Sequence, residues 1–355
     1  MKLKLYLDNG YVDIESIMKF ADKNDCPFIF ITGGRGTGKT FSMLKYLIEQ
    51  EQLFIYLRRK QTQVDIINKQ EFSPFNPIAK HLKKEIVTEP ITKFNTGFYF
   101  GEWDSEKEKY IPTGKPLAIS TGLTTISNLR SIGIAEECKC IVYDEFIPEK
   151  HEKAIKNEAM AFLNCIETIG RNREINGDNP LRVVCLANAM DIGNAIFTEL
   201  KLVDVADTME LKDYDYKVLK DRGILMIRLA HSPISSKKKQ TSLYRMTQGT
   251  GFYDMSVANY FAFEEKGQIK NYPINEFVLV CQMDDIFCYR HKSIELYYVS
   301  ARKSGTPKEI YRNTNIEKAR LRSEHPDIGS AYMFNLLYFD RYGTEIKFKE
   351  FMGVR

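Results

Sequence analysis

Residues 29–40 read Ile29-Phe30-Ile31-Thr32-Gly33-Gly34-Arg35-Gly36-Thr37-Gly38-Lys39-Thr40, and the residues that follow, Phe41-Ser42-Met43-Leu44-Lys45-Tyr46-Leu47-Ile48, place apolar side chains at helical spacing. An apolar strand therefore runs through a complete G-x-x-x-x-G-K-T octet into a helix. Glycines at such a junction let successive backbone N–H groups turn inward around an anion. A lysine there offers a point charge to β- and γ-phosphate oxygens, and the next hydroxyl completes a Mg²⁺ shell. The nucleotide-binding set is then Gly33, Gly34, Arg35, Gly36, Thr37, Gly38, Lys39 and Thr40, with Thr40 also a metal ligand. Strand–loop–helix units of this kind belong to α/β folds with a mostly parallel sheet.

Working outward, Cys140-Ile141-Val142-Tyr143-Asp144-Glu145-Phe146 is a second apolar strand, and it ends in two carboxylates. Two acids imply two jobs: Asp144 holds the metal with Thr40, and Glu145 orients and polarises the water that attacks the γ-phosphate. Adjacent acids also serve as turn or cap residues, but the phosphate loop upstream favours the paired reading, and a glutamate directly after the metal-binding acid fits hydrolysis of ATP better than phosphotransfer. Asn188 ends a later apolar run, Arg182-Val183-Val184-Cys185-Leu186-Ala187, where its amide would meet the attacking water or the γ-phosphate; a turn asparagine is the plainer reading. Arg171-Asn172-Arg173 follows a helical pattern at 157–169. Arginines there either meet exposed helix carbonyls or, in a ring of subunits, reach a neighbour's nucleotide, an effect worth about 10³–10⁵ in rate. The catalytic candidates are thus Glu145, Asn188 and Arg171, with Arg173 second to Arg171.

Composition narrows the class. The 355 residues carry 51 Lys and Arg against 47 Asp and Glu, a formal charge of +4, so any nucleic-acid surface is local rather than global. The chain is 43% apolar, enough to fill two cores. Its seven cysteines are dispersed and lie mostly in apolar runs, as in a reduced, cytosolic protein; Cys138-Lys139-Cys140 lacks the second pair that zinc needs. The start, Met1-Lys2-Leu3-Lys4-Leu5, is broken by charge and is not a secretion signal, and no segment is apolar enough for a membrane span.

Strand patterns at 27–32, 53–57, 98–102, 115–120, 140–143, 182–187 and 224–229 alternate with helical ones, as in a parallel sheet covered by helices. Turn signals at 95–97 and 104–109 mark a smaller hairpin-rich insertion. Polar, proline-containing and basic residues from His231 to Gln240 read as a connector, with Lys237-Lys238-Lys239 a solvated run. Three close strand patterns follow, at 276–282, 286–291 and 294–299, and then a helical one at 317–323. The expected partition is an ATPase domain at 1–230, a linker or lid at 231–262, and a smaller α+β domain at 263–355.

With these residues in hand, the chain resembles the DNA-packaging motor ATPases of small short-tailed bacteriophages, an additional-strand ATPase branch related to large terminases. The likeness is carried by Gly34-Arg35-Gly36-Thr37-Gly38-Lys39, Ile55-Tyr56-Leu57-Arg58-Arg59, Ile141-Val142-Tyr143-Asp144-Glu145-Phe146-Ile147, Arg171-Asn172-Arg173-Glu174 and Cys185-Leu186-Ala187-Asn188-Ala189. It implies ATP and Mg²⁺ as cofactors, a trans-acting role for Arg171 and a sensing role for Asn188. It also implies a homomeric ring, a pentamer, that docks transiently on the portal vertex of an empty capsid in the host cytoplasm and pumps double-stranded DNA inward. The family's inter-subunit basic residue near Arg58-Arg59 has Lys60 as its nearest counterpart here. The C-terminal unit is expected to be a vestigial nuclease-like fold that attaches the ring to the capsid, in some members through a structural RNA.

A translocating motor grips the phosphate backbone, because base-specific contacts would stall it. Lys150, Lys153 and Lys156, spaced by three just after the acidic pair, are the first DNA-binding candidates, and Arg130 is another; a solvated basic helix face has the same spacing. Two rival readings remain. One is a terminase-like enzyme cutting DNA at Asp284-Asp285, where a hairpin turn explains the pair more simply. The other is a nucleotide-dependent DNA-binding switch that needs no turnover.

Overall fold

Fully buried parallel strands need near-continuous apolar sequence, and the runs around the phosphate loop supply it. The computed structural model describes residues 3–131, 133, 137–149, 152–188, 191–250, 253 and 268–354. It divides into two units, Met1–Glu199 with Lys212–Ala262, and Leu200–Leu211 with Phe263–Arg355.

In the first unit the strands are β1 (Phe28–Gly33), β2 (Phe54–Arg58), β3 (Glu85–Pro90), β4 (Thr96–Asp104), β5 (Lys109–Gly122), β6 (Cys140–Asp144), β7 (Arg182–Ala187), β8 (Tyr216–Leu219) and β9 (Ile224–Leu229). They form one sheet in the order β3-β4-β5-β2-β6-β7-β1-β9-β8. From β5 to β9 the neighbours are parallel, and the β3-β4-β5 and β9-β8 edges are antiparallel. The hairpin insertion expected from sequence is continuous with this sheet: Ala118 of β5 pairs with Phe98 of β4 on one side and Phe54 of β2 on the other.

Register positions the site. Leu57 lies opposite Tyr143, and Asp144 opposite Leu186, so the C-terminal tips of β2, β6 and β7 come level at one edge, beside the end of β1. One face is packed by Ile17, Met43, Leu44, Leu47, Ile29 and Ile31 within a single apolar cluster. On the other face Phe30, Phe146 and Phe197 meet edge to face or tilted, with ring centroids 5.6–5.9 Å apart.

The second unit has strands β10 (Phe277–Met283), β11 (Ile286–His291), β12 (Tyr297–Ser300), β13 (Glu309–Tyr311) and β14 (Leu337–Phe339), ordered β13-β10-β11-β12-β14. Helices Asn315–Glu324, Pro326–Met333 and Tyr342–Met352 share its core through Leu321, Ile328 and Phe348. Leu200–Leu211 belongs to this unit rather than to the N-terminal domain expected to reach residue 230. Its Asp207 accepts the Gly343 N–H at 3.1 Å, a long-range bond that no local pattern announces. In place of a bare connector from 231, two short helices, Pro233–Lys238 and Ser242–Met246, form part of the first unit.

Candidate active site

The phosphate loop leaves β1 at Gly33 and enters the helix Lys39–Glu49, with Gly36 at φ 72° and Gly38 at φ 87°. These are left-handed conformations that glycine adopts without steric cost. Lys39 is buried, and its ammonium donates to the carbonyls of Gly33 at 2.7 Å and Gly34 at 3.0 Å and to Thr37 Oγ1 at 3.3 Å. Burial pulls it down to about 7, with Asp144 acting the other way and Lys238 in the same direction as burial.

Across the loop, Thr40 Oγ1 donates to the Asp144 carboxylate, 3.0 and 3.1 Å from its two oxygens. Glu145 follows at φ 56°, a strained value for a glutamate that turns the chain out of the strand. Asn188 Oδ1 stands 3.5 Å from Lys39 Nζ. Arg35 to Phe41, Asp144, Glu145, Ala187 and Asn188 line one cleft of about 470 Å³. Residues quoted from three separate strings are thus brought together, and Glu145 reaches the cleft mouth while Asp144 stays buried.

Sequence reading missed the groups that hold the acids. Tyr56 donates its hydroxyl to Asp144 at 2.8 Å, and Arg58 bridges the pair, one nitrogen 3.0 Å from Asp144 and the other paired with Glu145. Burial works against the Arg58 charge, but Tyr56, Asp144 and Glu145 more than offset it and hold the guanidinium above its ordinary value. Both come from β2, in the string quoted for the resemblance, and the parallel β2–β6 register is what sets them against the acids. Next along the chain Arg59 is fully buried and meets Glu158 through Nε at 2.6 Å and a second nitrogen at 2.9 Å, and Glu152 at 3.1 Å. Lys60, the nearest residue by sequence to the inter-subunit basic position expected from the resemblance, pairs with Glu152 of the same chain at 3.2 Å.

Other sequence candidates fall elsewhere. Arg171 caps the helix Glu158–Gly170 at φ 46°, exposed and outside the cleft lining, and Arg173 donates to the Cys138 carbonyl at 2.8 Å. Lys153 and Lys156 are exposed on the loop before that helix, so their spacing marks a loop and not a helix face. Lys150 lies outside the described residues, and the backbone of Arg130 falls in the 3₁₀ segment Leu123–Ser131. Asp284 and Asp285 form the two-residue turn between β10 and β11, with Asp284 at φ 53° and Asp285 paired with Lys347 at 2.6 Å. Among the described residues no three His, Cys, Asp or Glu gather as a metal cluster, and no helix is long and apolar enough to cross a membrane. All seven cysteines are buried, and none is in a disulfide.

A glycine-rich loop between a central parallel strand and a helix, opposed by an acid at the tip of a nearby strand, defines a phosphate-loop protein of the α/β class. The model of the Podovirus DNA encapsidation protein (Gp16) family matches residues 19–316, and the chain belongs to that family. The DNA packaging protein of Bacillus phage phi29 is 29% identical over 245 residues, 65% of this chain and 61% of that protein; for Bacillus phage B103 the figures are 28% over 244 residues, 65% and 63%. The chain thus spans 61% of the length of the phi29 relative in that match. A chain of the bacteriophage Phi-29 viral genome packaging motor assembly matches with a TM-score of 0.62 at 22% identity, covering 98% of this chain and 100% of that one. The Phi-28 gp11 DNA packaging motor gives 0.57 at 18%, covering 95% and 97%. At these identities the two likenesses speak to fold.

Proposed function

We propose that this chain is an ATP-hydrolysing motor subunit that draws double-stranded DNA into a preformed capsid. The observation that carries the reading is the meeting of Lys39, Thr40, Asp144, Glu145 and Asn188 in one cleft at the end of the parallel sheet. Family membership and the packaging proteins among its relatives supply the DNA and the capsid.

In this reading the loop N–H groups and Lys39 bind the triphosphate, whose oxygens replace the Gly33 and Gly34 carbonyls as acceptors for the ammonium. Thr40 and Asp144 offer a hydroxyl and a carboxylate, the hard oxygen donors that Mg²⁺ takes, and would hold that ion. Bound there, the ion would supply charge that offsets that of the phosphates. Glu145 accepts the proton of the attacking water, and Asn188 orients that water or the γ-phosphate. Glu145 is paired with Arg58, and a productive site releases it from that arginine.

Arg171 serves the nucleotide of a neighbouring subunit in a homomeric, pentameric ring at the portal vertex. Lys150, Lys153, Lys156 and Arg130 grip the DNA backbone without reading bases. The segment 263–355, with Leu200–Leu211 in the same unit, docks the ring on the capsid, directly or through a structural RNA. Replacing Glu145 by Gln is expected to leave ATP binding intact and to lower DNA-stimulated phosphate release about 10²–10⁴-fold. Unchanged phosphate release would remove the glutamate from the chemistry and favour a nucleotide-dependent switch.

A further inference from the structure

We propose that Lys238, at the end of the Pro233–Lys238 helix, is a second lysine of the triphosphate site that closes on phosphate oxygens from above the glycine loop. The inference rests on the reading of the cleft as a nucleotide site and adds a residue outside the phosphate-loop motif. A Cβ placed on Gly36 would lie 3.1 Å from both Cε and Nζ of Lys238, so the ammonium rests against the loop where Arg35 and Gly36 line the cleft. The helix that carries it is positioned independently of the lysine. Ser232, buried just before it, donates Oγ to the Gly10 carbonyl at 3.3 Å, and Pro233 packs against Gly10 closely enough that a Cβ there would lie 3.1 Å from the proline Cβ.

The other two cations of the loop are already engaged. Lys39 donates to backbone carbonyls, and Arg35 pairs with Glu149. Lys238 is half-buried, and among the described residues its near contact is the Tyr244 ring, 5.9 Å from ammonium to centroid, with no carboxylate in reach. Burial and then Arg35 hold it below the usual lysine range, and it helps to lower Lys39 in turn. Three basic side chains thus converge on one glycine-rich turn, with Glu149 paired to Arg35 and with Asp144 and Glu145 acting on Lys39. A half-buried ammonium in that position is stabilised by a polyanion, and the triphosphate is the polyanion the loop is shaped to hold. Lys237 and Lys239, which flank it, are exposed, so the basic run expected to be a solvated connector has one member turned to the site. Nucleotide occupancy would then be felt by the segment that follows the last strand of the sheet.

The test is equilibrium binding of ATP, ADP and AMP to the full chain by calorimetry, for the wild type and for Lys238→Ala, Lys238→Arg, Lys237→Ala and Lys39→Ala, with thermal unfolding as a check on folding. A charge-assisted hydrogen bond predicts that Lys238→Ala weakens ATP binding roughly tenfold to a hundredfold. The loss should shrink through ADP to AMP, Lys238→Arg should recover most of it, and Lys237→Ala should bind like the wild type. Wild-type ATP affinity in Lys238→Ala, or an equal loss for AMP and ATP, overturns the proposal. If Lys39→Ala loses ATP while Lys238→Ala does not, only Lys238 has failed; if Lys39→Ala also binds normally, the nucleotide reading of the cleft fails with it.

Discussion

Lys39 is held where water has been removed, and that fixes a pH dependence. Burial brings it to about 7, whereas a lysine in an unfolded chain titrates near ~10.4. Between those values the unfolded chain holds a proton that the folded one has lost, so this residue makes the free protein more stable as pH rises through that window. Nucleotide has the opposite preference, because phosphate favours the ammonium. ATP binding is therefore expected to take up close to ~1 proton at about pH 8.5, and affinity should fall as pH rises above about 7. Calorimetry in buffers of differing ionisation enthalpy reads the uptake directly, and no uptake at that pH would show the lysine already charged in the free protein. Lys39, Thr40, Asp144 and Glu145 were legible from sequence because each sits in a short string whose meaning is local. Arg58 and Tyr56 were not, because their contacts with Asp144 arise from β2 lying beside β6, and Lys238 was not, because it meets Gly36 across some two hundred positions of chain.

Strand β2 does two things at its end: Arg58 spans Asp144 and Glu145, and Arg59 anchors the helix Glu158–Gly170 through Glu158, with Tyr143 of β6 donating to the same carboxylate at 3.2 Å. Arg59 has no side-chain exposure and Glu158 has 4%, so removing one partner leaves a buried charge unmatched. Arg59→Ala is expected to destabilise the protein by about 3–5 kcal/mol, and the paired change Arg59→Met with Glu158→Met to regain most of that. Urea unfolding of the wild type and the two variants checks this; a loss in the double variant as large as in Arg59→Ala would show that the pair itself, not the stranded charge, sets stability. The same contrast explains which elements could be read. Strands β1, β6, β7 and β9 lie inside the sheet and are almost wholly buried, which forces unbroken apolar runs. Strands β3, β8 and β13 are edge strands with mostly half-buried or exposed residues, and their sequences carry no such signature. The lysines after Glu145 show a related limit: a spacing of three is shared by a loop and a helix face, and Lys153 and Lys156 precede the Glu158–Gly170 helix.

For the molecule as a whole, the cleft gathers the groups proposed for binding and for water activation, whereas Arg171 lies at the end of the Glu158–Gly170 helix and does not line it. If Arg171 completes the site of an adjacent copy, each active centre in the ring is built from Glu145 of one subunit and Arg171 of the next. Arg171→Ala and Glu145→Gln rings are then each inactive, for different reasons. In rings mixed at equal amounts, an interface is complete when an Arg171→Ala subunit supplies the nucleotide site and a Glu145→Gln subunit supplies the arginine, which is roughly a quarter of all interfaces for random assembly in a head-to-tail ring. DNA-stimulated phosphate release should therefore reappear on mixing, with each reviving interface regaining an arginine worth about 10³–10⁵ in rate. The restored activity should grow as the two variants approach equal amounts, and prior crosslinking of each variant into its own ring should prevent it. An arginine that works within its own subunit gives no recovery at any ratio, and an arginine that only caps its helix leaves the Arg171→Ala ring active before mixing, so the three arrangements separate in one titration.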